Sequence, residues 1–161
     1  MITIKHRSTG GVLLRLSEDT TSGILLPNAE LGGADLHKAD LSGTDLHCAN
    51  LSQALLSEAN LSFADLTGTI FCHADLSQAN LTSADMALAN LTNAILIEAN
   101  LSGANLYGAM LRGAQLQRCN VKGADLQDSD LTEAELEHAA YDAETRWPEG
   151  FSPQERGAIR Q

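Results

Sequence analysis

From Ala29 to Tyr141 a large apolar residue returns at every fifth position without a slip of register. Leu occupies 31, 36, 41, 46, 51, 56, 61 and 66, and every later centre is also Leu except Phe71, Met86, Val121 and Tyr141. Two places before each centre stands a small residue, Ala in most cases and otherwise Thr44, Thr69, Cys119 or Ser129. One place before the centre the residue is usually Asp or Asn, and the two places after it are mostly small or polar.

A period of five fits neither common element. On an α-helix five residues advance about 500°, a net turn of ~140°, so the leucines would spiral around the cylinder and define no stripe. On a straight strand, side chains alternate, so an odd repeat throws successive leucines to opposite faces. A chain that turns a corner every five residues keeps every Leu inside. Four such edges close a square coil of about twenty residues, and the next coil stacks on it at the ~4.8 Å spacing of paired strands. The centre and the small residue then point inward, and only a small side chain fits beside the packed leucines. Asp or Asn ahead of a corner can hydrogen-bond neighbouring backbone amides. The glycines at 43, 68, 103, 108, 113 and 123 fall two places after a centre, where the chain turns and a small residue or positive φ helps.

The motif stands as Ala34-Asp35-Leu36, Ala49-Asn50-Leu51, Ala79-Asn80-Leu81 and Ala124-Asp125-Leu126, among many. This resembles the pentapeptide-repeat family, whose motif is A-(D/N)-L-x-x. The resemblance implies that family's all-β fold, a right-handed quadrilateral β-helix, here of about six coils at twenty residues each. The handedness comes from the resemblance, since the period alone does not set it.

The ends depart from the repeat. Ile2 and Ile4 alternate with Thr3 and Lys5, Ser8-Thr9-Gly10-Gly11 follows, and Val12, Leu14 and Leu16 alternate again. This predicts a β-hairpin with a Gly-rich turn, covering the bare edge of the first coil. Residues 1–23 are assigned to this N-terminal cap, 24–141 to the β-helix and 142–161 to a C-terminal cap. In the last segment Ser152-Pro153-Gln154-Glu155 has capping-box form with Pro in the first helical place, which predicts a short helix from Pro153 to about Arg160.

Stacking at intervals of twenty makes columns. One reads Asp45, Asp65, Asp85, Asn105, Asp125 and is the most acidic line. Another reads Asp40, Asn60, Asn80, Asn100, Asn120, in which amides can ladder without charge repulsion. Outward positions that break the polar rule group at two corners: Ile70, Leu88, Tyr107 and Met110 with Cys48 at one, Leu55, Ile95 and Ile97 at the next. A contiguous outward apolar patch marks an interface.

The formal charge of −11 resides in the repeats, where the carboxylates outnumber Lys38, Arg112, Arg118 and Lys122. Such a balance disfavours direct contact with nucleic acid or an anionic membrane. There is no apolar run of membrane-span length and no signal-like start, so the cytoplasm is the expected location. Three scattered cysteines do not suggest a disulfide framework. The histidines at 6, 37, 47, 73 and 138 are not paired at metal-ligand spacing, and Cys72-His73 with Cys48 makes no closed site, so no metal is expected. A packed column offers no cleft for a nucleophile and its base, so neither a cofactor nor an enzymatic activity is expected.

Three readings of function follow. The first is a non-enzymatic scaffold that presents an acidic rod with an apolar corner to another protein, as a monomer or weak dimer. The second rests on the resemblance, because some family members bind type II topoisomerase and protect or inhibit it. In that reading Asp45, Asp65, Asp85 and Asp125 would mimic DNA phosphates. The scarcity of Phe at the centres and the short C-terminal segment count against it. The third is a structural rod with no strong partner.

Overall fold

The computed structural model describes residues 2–16 and 21–161. Met1 and residues 17–20, which the sequence reading assigns to the N-terminal cap, lie outside the described residues. Parallel bridges join each residue ahead of a centre to the one twenty places on, from Leu25↔Asp45 through Asn120↔Ala140. A bridge falls at every fifth residue, so each turn of the chain carries four.

The pentad from Asn80 to Ala84 shows why this backbone is stable. The Asn80 N–H donates to the Ala59 carbonyl of the preceding coil at 2.9 Å. Leu81 and Ser83 donate to Asn100 and Ser102 of the next coil at 2.7 and 3.0 Å. Ala84 closes the turn on the Leu81 carbonyl at 3.1 Å. Only the Thr82 N–H finds no backbone acceptor, and the Asn80 side chain supplies one at 3.2 Å. The same bond recurs from Ser42 to Asp40, Ser52 to Asn50, Thr67 to Asp65, Ala87 to Asp85 and Gln127 to Asp125. Backbone donors must be satisfied somewhere, and the fifth donor of each pentad is what the repeat's Asp or Asn is for.

The centres and small residues form one continuous core, with Leu46, Leu51, Leu56, Phe71, Met86 and their neighbours fully buried. Polar substitutes in the small position bond inward carbonyls: the Thr44 and Ser129 hydroxyls donate to Leu41 and Leu126, and Thr69 donates to Leu46, each at 2.7 Å. Cys119 takes that position with no partner needed, and burial pushes its thiol up to about 12.

The residue two places after the centre has positive φ all along the repeat, including Lys38, Cys48, Phe63, Leu88 and Glu98 at 56–60°. The glycines there share it but are not required by it. Instead, Gly68, Gly103, Gly108 and Gly113 make room for side chains of the preceding coil. A Cβ on Gly108 would lie 2.9 Å from Leu88 Cδ2, and one on Gly68 would lie 3.4 Å from Cys48 Sγ.

At the N-terminal end, β1 (Ile2–His6) and β2 (Val12–Leu16) form an antiparallel hairpin, and β1 pairs antiparallel with β3 (Ala34–Asp35). Ile4 is buried against the core, and the His6 ring sits over Gly33, which has no side chain to obstruct it. The antiparallel strand therefore ends the parallel ladder at this edge.

At the C-terminal end the ladder gains one residue, so that Asp125 bridges Arg146 instead of residue 145. The Asp142 carboxylate anchors the resulting bulge by accepting from the N–H groups of Gly123, Glu144 and Thr145, each at 3.0 Å. Tyr141, Trp147 and Phe151 then cover the core, Trp147 meeting Tyr141 edge-on at 5.7 Å and stacking on Phe151 at 5.3 Å.

The expected helix from Pro153 to Arg160 is corrected. Only a 3-10 turn, Pro153–Arg156, forms. The Ser152 side chain makes no capping bond, and Gly157 ends the turn with φ 80°. Ile159–Arg160 then becomes β5, which pairs in parallel with β4 (Ala140–Tyr141). The ladder offers the last residues strand bonds, from Ile159 to the Ala139 carbonyl and from Gln161 to Tyr141, that a helix would forgo.

Candidate functional site

Because the core is filled, chemistry on this molecule lies on the outward columns. Among the described residues, hollows on the surface lie open to solvent. One lies between Asp130–Thr132 and Pro148–Phe151, another between Ile97, Gln117 and His138.

The acidic column stands where the twenty-residue register puts it, Asp45, Asp65, Asp85, Asn105 and Asp125 bridging in sequence. One oxygen of each aspartate is committed to the backbone amide two residues on. Asn105 donates to Asp85 at 3.0 Å, and Arg146 approaches Asp125 at 3.4 Å. The His47 backbone amide, aided by its side chain at 2.6 Å, holds the Asp45 carboxyl below the usual carboxylate range. The structure brings Asp65 to this pair, so that one ligand atom from each of Asp45, His47 and Asp65 lies within 4.8 Å of the others. The sequence reading stacked Asp45 on Asp65 but treated the histidines separately, and so did not join His47 to the pair.

The column from Asp40 to Asn120 ladders as expected. Asn60 donates to Asp40, Asn80 to Asn60 and Asn120 to Asn100, each at 3.1 Å. The run breaks once, where Asn100 donates to the Thr82 hydroxyl instead.

Leu55, Ile70, Ile95 and Met110 all occupy the position where the repeat normally has Asp or Asn. Each therefore gives up the acceptor for the amide two residues on. Ile70, Leu88, Tyr107 and Met110 are 39%, 60%, 45% and 44% exposed. Ile70 and Met110 share a column with Asn90 between them, and Leu88 projects from the turn beside that column, in line with Cys48. Tyr107 reaches along the rod to bond Asp128 at 2.5 Å, which raises its own pKa. Leu55, Ile95 and Ile97 are half-buried, with Asp75 between Leu55 and Ile95. Val12 and Ile159 are exposed near the two ends, and within the repeat two further exposed apolar residues escaped the sequence reading, Leu25 and Phe63. Both stand at outward positions of the repeat, so the periodicity would have found them.

Among the described residues no helix is long and apolar enough to cross a membrane. The family described as pentapeptide repeats matches the chain in eight copies, over residues 22–53, 34–71, 59–96, 74–113, 84–123 and 111–140. No curated protein matches. Among solved structures, the pentapeptide repeat protein Rfr23 from the cyanobacterium Cyanothece 51142 is 41% identical with a TM-score of 0.57. The similarity covers 58% of this chain, which spans 63% of Rfr23. A trypsin-treated form of QnrB1, a plasmid-mediated fluoroquinolone resistance protein, is 18% identical over 88% of this chain and 85% of its own, with a TM-score of 0.53. At that identity the likeness concerns the fold alone. The protein alr5209 from Nostoc PCC 7120 is 36% identical over 70% of this chain and 84% of its own, with a TM-score of 0.26.

Proposed function

We propose, from the premise that the chain belongs to the pentapeptide-repeat family and shares its right-handed β-helix, that it is a non-enzymatic interaction module. Residues 24–141 act as a stiff rod of about six square coils, at twenty residues to the coil. Residues 1–23 and 142–161 serve as its caps, and the rod presents its corner to another protein. The observation that carries this reading is the exposure of Ile70, Leu88, Tyr107 and Met110 together at one corner. Exposed apolar side chains that cluster are the usual mark of a binding surface. Ile70 and Met110 also stand where Asp or Asn would satisfy a backbone amide, so their presence costs the fold a bond it makes elsewhere. The half-buried set of Leu55, Ile95 and Ile97 would extend this surface. The reading needs no cofactor.

The test is capture of partners from a cell extract by the immobilised protein and by the double variant Ile70→Asn, Met110→Asn. Asn restores the repeat's own side chain, so the variant should fold. Loss of a captured protein supports the reading, and identical capture by both forms sinks it.

A second reading, mimicry of DNA toward type II topoisomerase, is favoured by the successive carboxylates of Asp45, Asp65 and Asp85. The column supplies one charge per ~4.8 Å, about a third of the density of duplex DNA at one per ~1.7 Å, which ranks this reading second. A gyrase supercoiling assay at two salt concentrations would detect it. Inhibition or quinolone protection that fades with salt, and disappears when those aspartates become Asn, would promote it.

A further inference from the structure

The apolar corner and the acidic column are adjacent. Outward positions run Asp65, Thr67, Gly68, Ile70 in one coil, Asp85, Ala87, Leu88, Asn90 in the next, and Asn105, Tyr107, Gly108, Met110 in the one after. Only the buried centre and small residue intervene on each coil. The patch is thus edged by Asp65 and Asp85 along one side and by Asp125, Asp128 and Asp130 at its C-terminal end. Of the charged or titratable groups of opposite sign nearby, exposed His73 makes no ion pair among the described residues, and the others are already engaged. Arg146 pairs with Asp125, Arg112 with Glu133 at 3.6 Å, and His47 with Asp45.

The side of the rod also offers no strand edge. In each pentad the backbone N–H groups of the ladder and the turn are bonded, and only isolated amides, such as those of Cys72 and Arg112 two places after Ile70 and Met110, lack the Asp or Asn acceptor, too sparse a set for an extended partner to add a strand there. Recognition must be through side chains. A helix lying along the rod advances ~5.4 Å per turn against ~4.8 Å per coil, so its turns keep pace with the coils over the two steps from Ile70 to Met110. Apolar residues at i, i+3 or i+4, and i+7 would then meet Ile70, Leu88 and Met110 in succession.

We infer, building on the interaction-module reading, that this corner docks a basic amphipathic helix of a partner protein. Its apolar stripe covers Ile70, Leu88 and Met110, and its Lys or Arg residues face Asp65, Asp85 and Asp128. A second copy of this chain is disfavoured as occupant because its repeats are acidic on balance, their carboxylates outnumbering Lys38, Arg112, Arg118 and Lys122.

The test uses a synthetic 18-residue Leu/Lys peptide with one apolar helical face, and a scrambled peptide of equal composition without that face. Binding is followed by calorimetry and by backbone amide shifts. Two variants are compared with the parent: Ile70→Asn with Met110→Asn, and Asp65→Asn with Asp85→Asn. Asn keeps the backbone acceptor in the second variant and supplies one in the first. Each pair should weaken binding about tenfold or more, as removal of central interface groups does. Shifts should gather on residues 65–70, 85–90 and 105–110 and spare the column of Asn60, Asn80 and Asn100. Equal binding of the scrambled peptide, or shifts spread over the whole rod, overturns the inference. Loss with the apolar pair but not with the acidic pair leaves the interaction module standing and removes the basic partner. Sedimentation showing a dimer that the apolar pair abolishes assigns the corner to a second copy and equally overturns the inference.

Discussion

Asn80→Ala removes the side chain that serves the fifth amide of its pentad. Asn80 Oδ1 accepts from the Thr82 N–H at 3.2 Å and from the Thr82 hydroxyl at 2.7 Å, while its Nδ2 donates to Asn60 at 3.1 Å. Each bond contributes roughly 0.5–1.5 kcal/mol net, so losing all three costs about 1.5–4.5 kcal/mol. Thr82 is only half-buried, and water can reach its amide in part, which places the expected loss near the lower half of that range. For a chain of this size, about 2 kcal/mol lowers the midpoint of thermal unfolding by roughly 4–8 °C. Asn80→Asp keeps the acceptor and gives up only the donation to Asn60, so it should cost about 0.5–1.5 kcal/mol. Thermal unfolding followed by circular dichroism, on the parent and both variants, measures the difference. A loss below about 0.5 kcal/mol for Asn80→Ala, or an equal loss for Asp and Ala, would refute the account of why the repeat carries Asp or Asn.

Other expectations follow from the same geometry. Phe63 is 71% exposed at φ 59°, so Phe63→Gly should raise stability by roughly 0.5–1 kcal/mol in urea unfolding, because glycine adopts positive φ without steric cost. The Asp40, Asp45, Asp130 and Asp142 carboxyls are held below their usual range, chiefly by the Ser42 hydroxyl, the His47 amide, the Thr132 hydroxyl and the Gly123 amide respectively. Their folded pKa values lie below the unfolded ones, so their contribution is present above about pH 4 and is lost as pH falls through the folded values. Melting temperatures should therefore be level near neutrality and drop below about pH 4, and an undiminished melt at pH 3 would contradict this. Thiol alkylation read by intact mass should modify exposed Cys48 first, half-buried Cys72 more slowly and buried Cys119 only in denaturant. Gly33→Ala places a Cβ 2.9 Å from His6 Cδ2 at φ 66°, so amide exchange at residues 5–7 should speed up as β1 is pushed off β3.

The coils were legible because their signal is strictly periodic: Leu, Ala and Asp or Asn each have one position and one job. The amide ladder and the burial of Cys119 followed from the same register. The turns were harder. Glycine draws attention to positive φ, yet Gln53, Phe63, Leu88 and Arg118 adopt it as well. What marks that position is the lack of Val, Ile and Thr among the non-glycine residues that fill it, since β-branching is what a left-handed backbone tolerates least. The C-terminal helix was misread because Ser152 and Glu155 form a local pattern, whereas the bonds that settle Ile159 and Arg160 come from β4, about twenty residues earlier. The apolar corner was visible as a set of exceptions, but its junction with the acidic column shows only when the coils are laid side by side.

The step of twenty has a bearing on how such surfaces change over generations. A residue's neighbours across the rod depend on its number only through the remainder after division by twenty. Inserting or deleting a whole turn lengthens or shortens the molecule and leaves each stripe in phase. Inserting or deleting a single pentad leaves the core equally well filled, because Leu still follows Leu. Everything downstream, however, rotates by one face. Asp85 would no longer follow Asp65, and Met110 would leave Ile70. The core is therefore indifferent to a change that dismantles the surface, and duplication by fives offers a reshuffling of faces at little cost to folding.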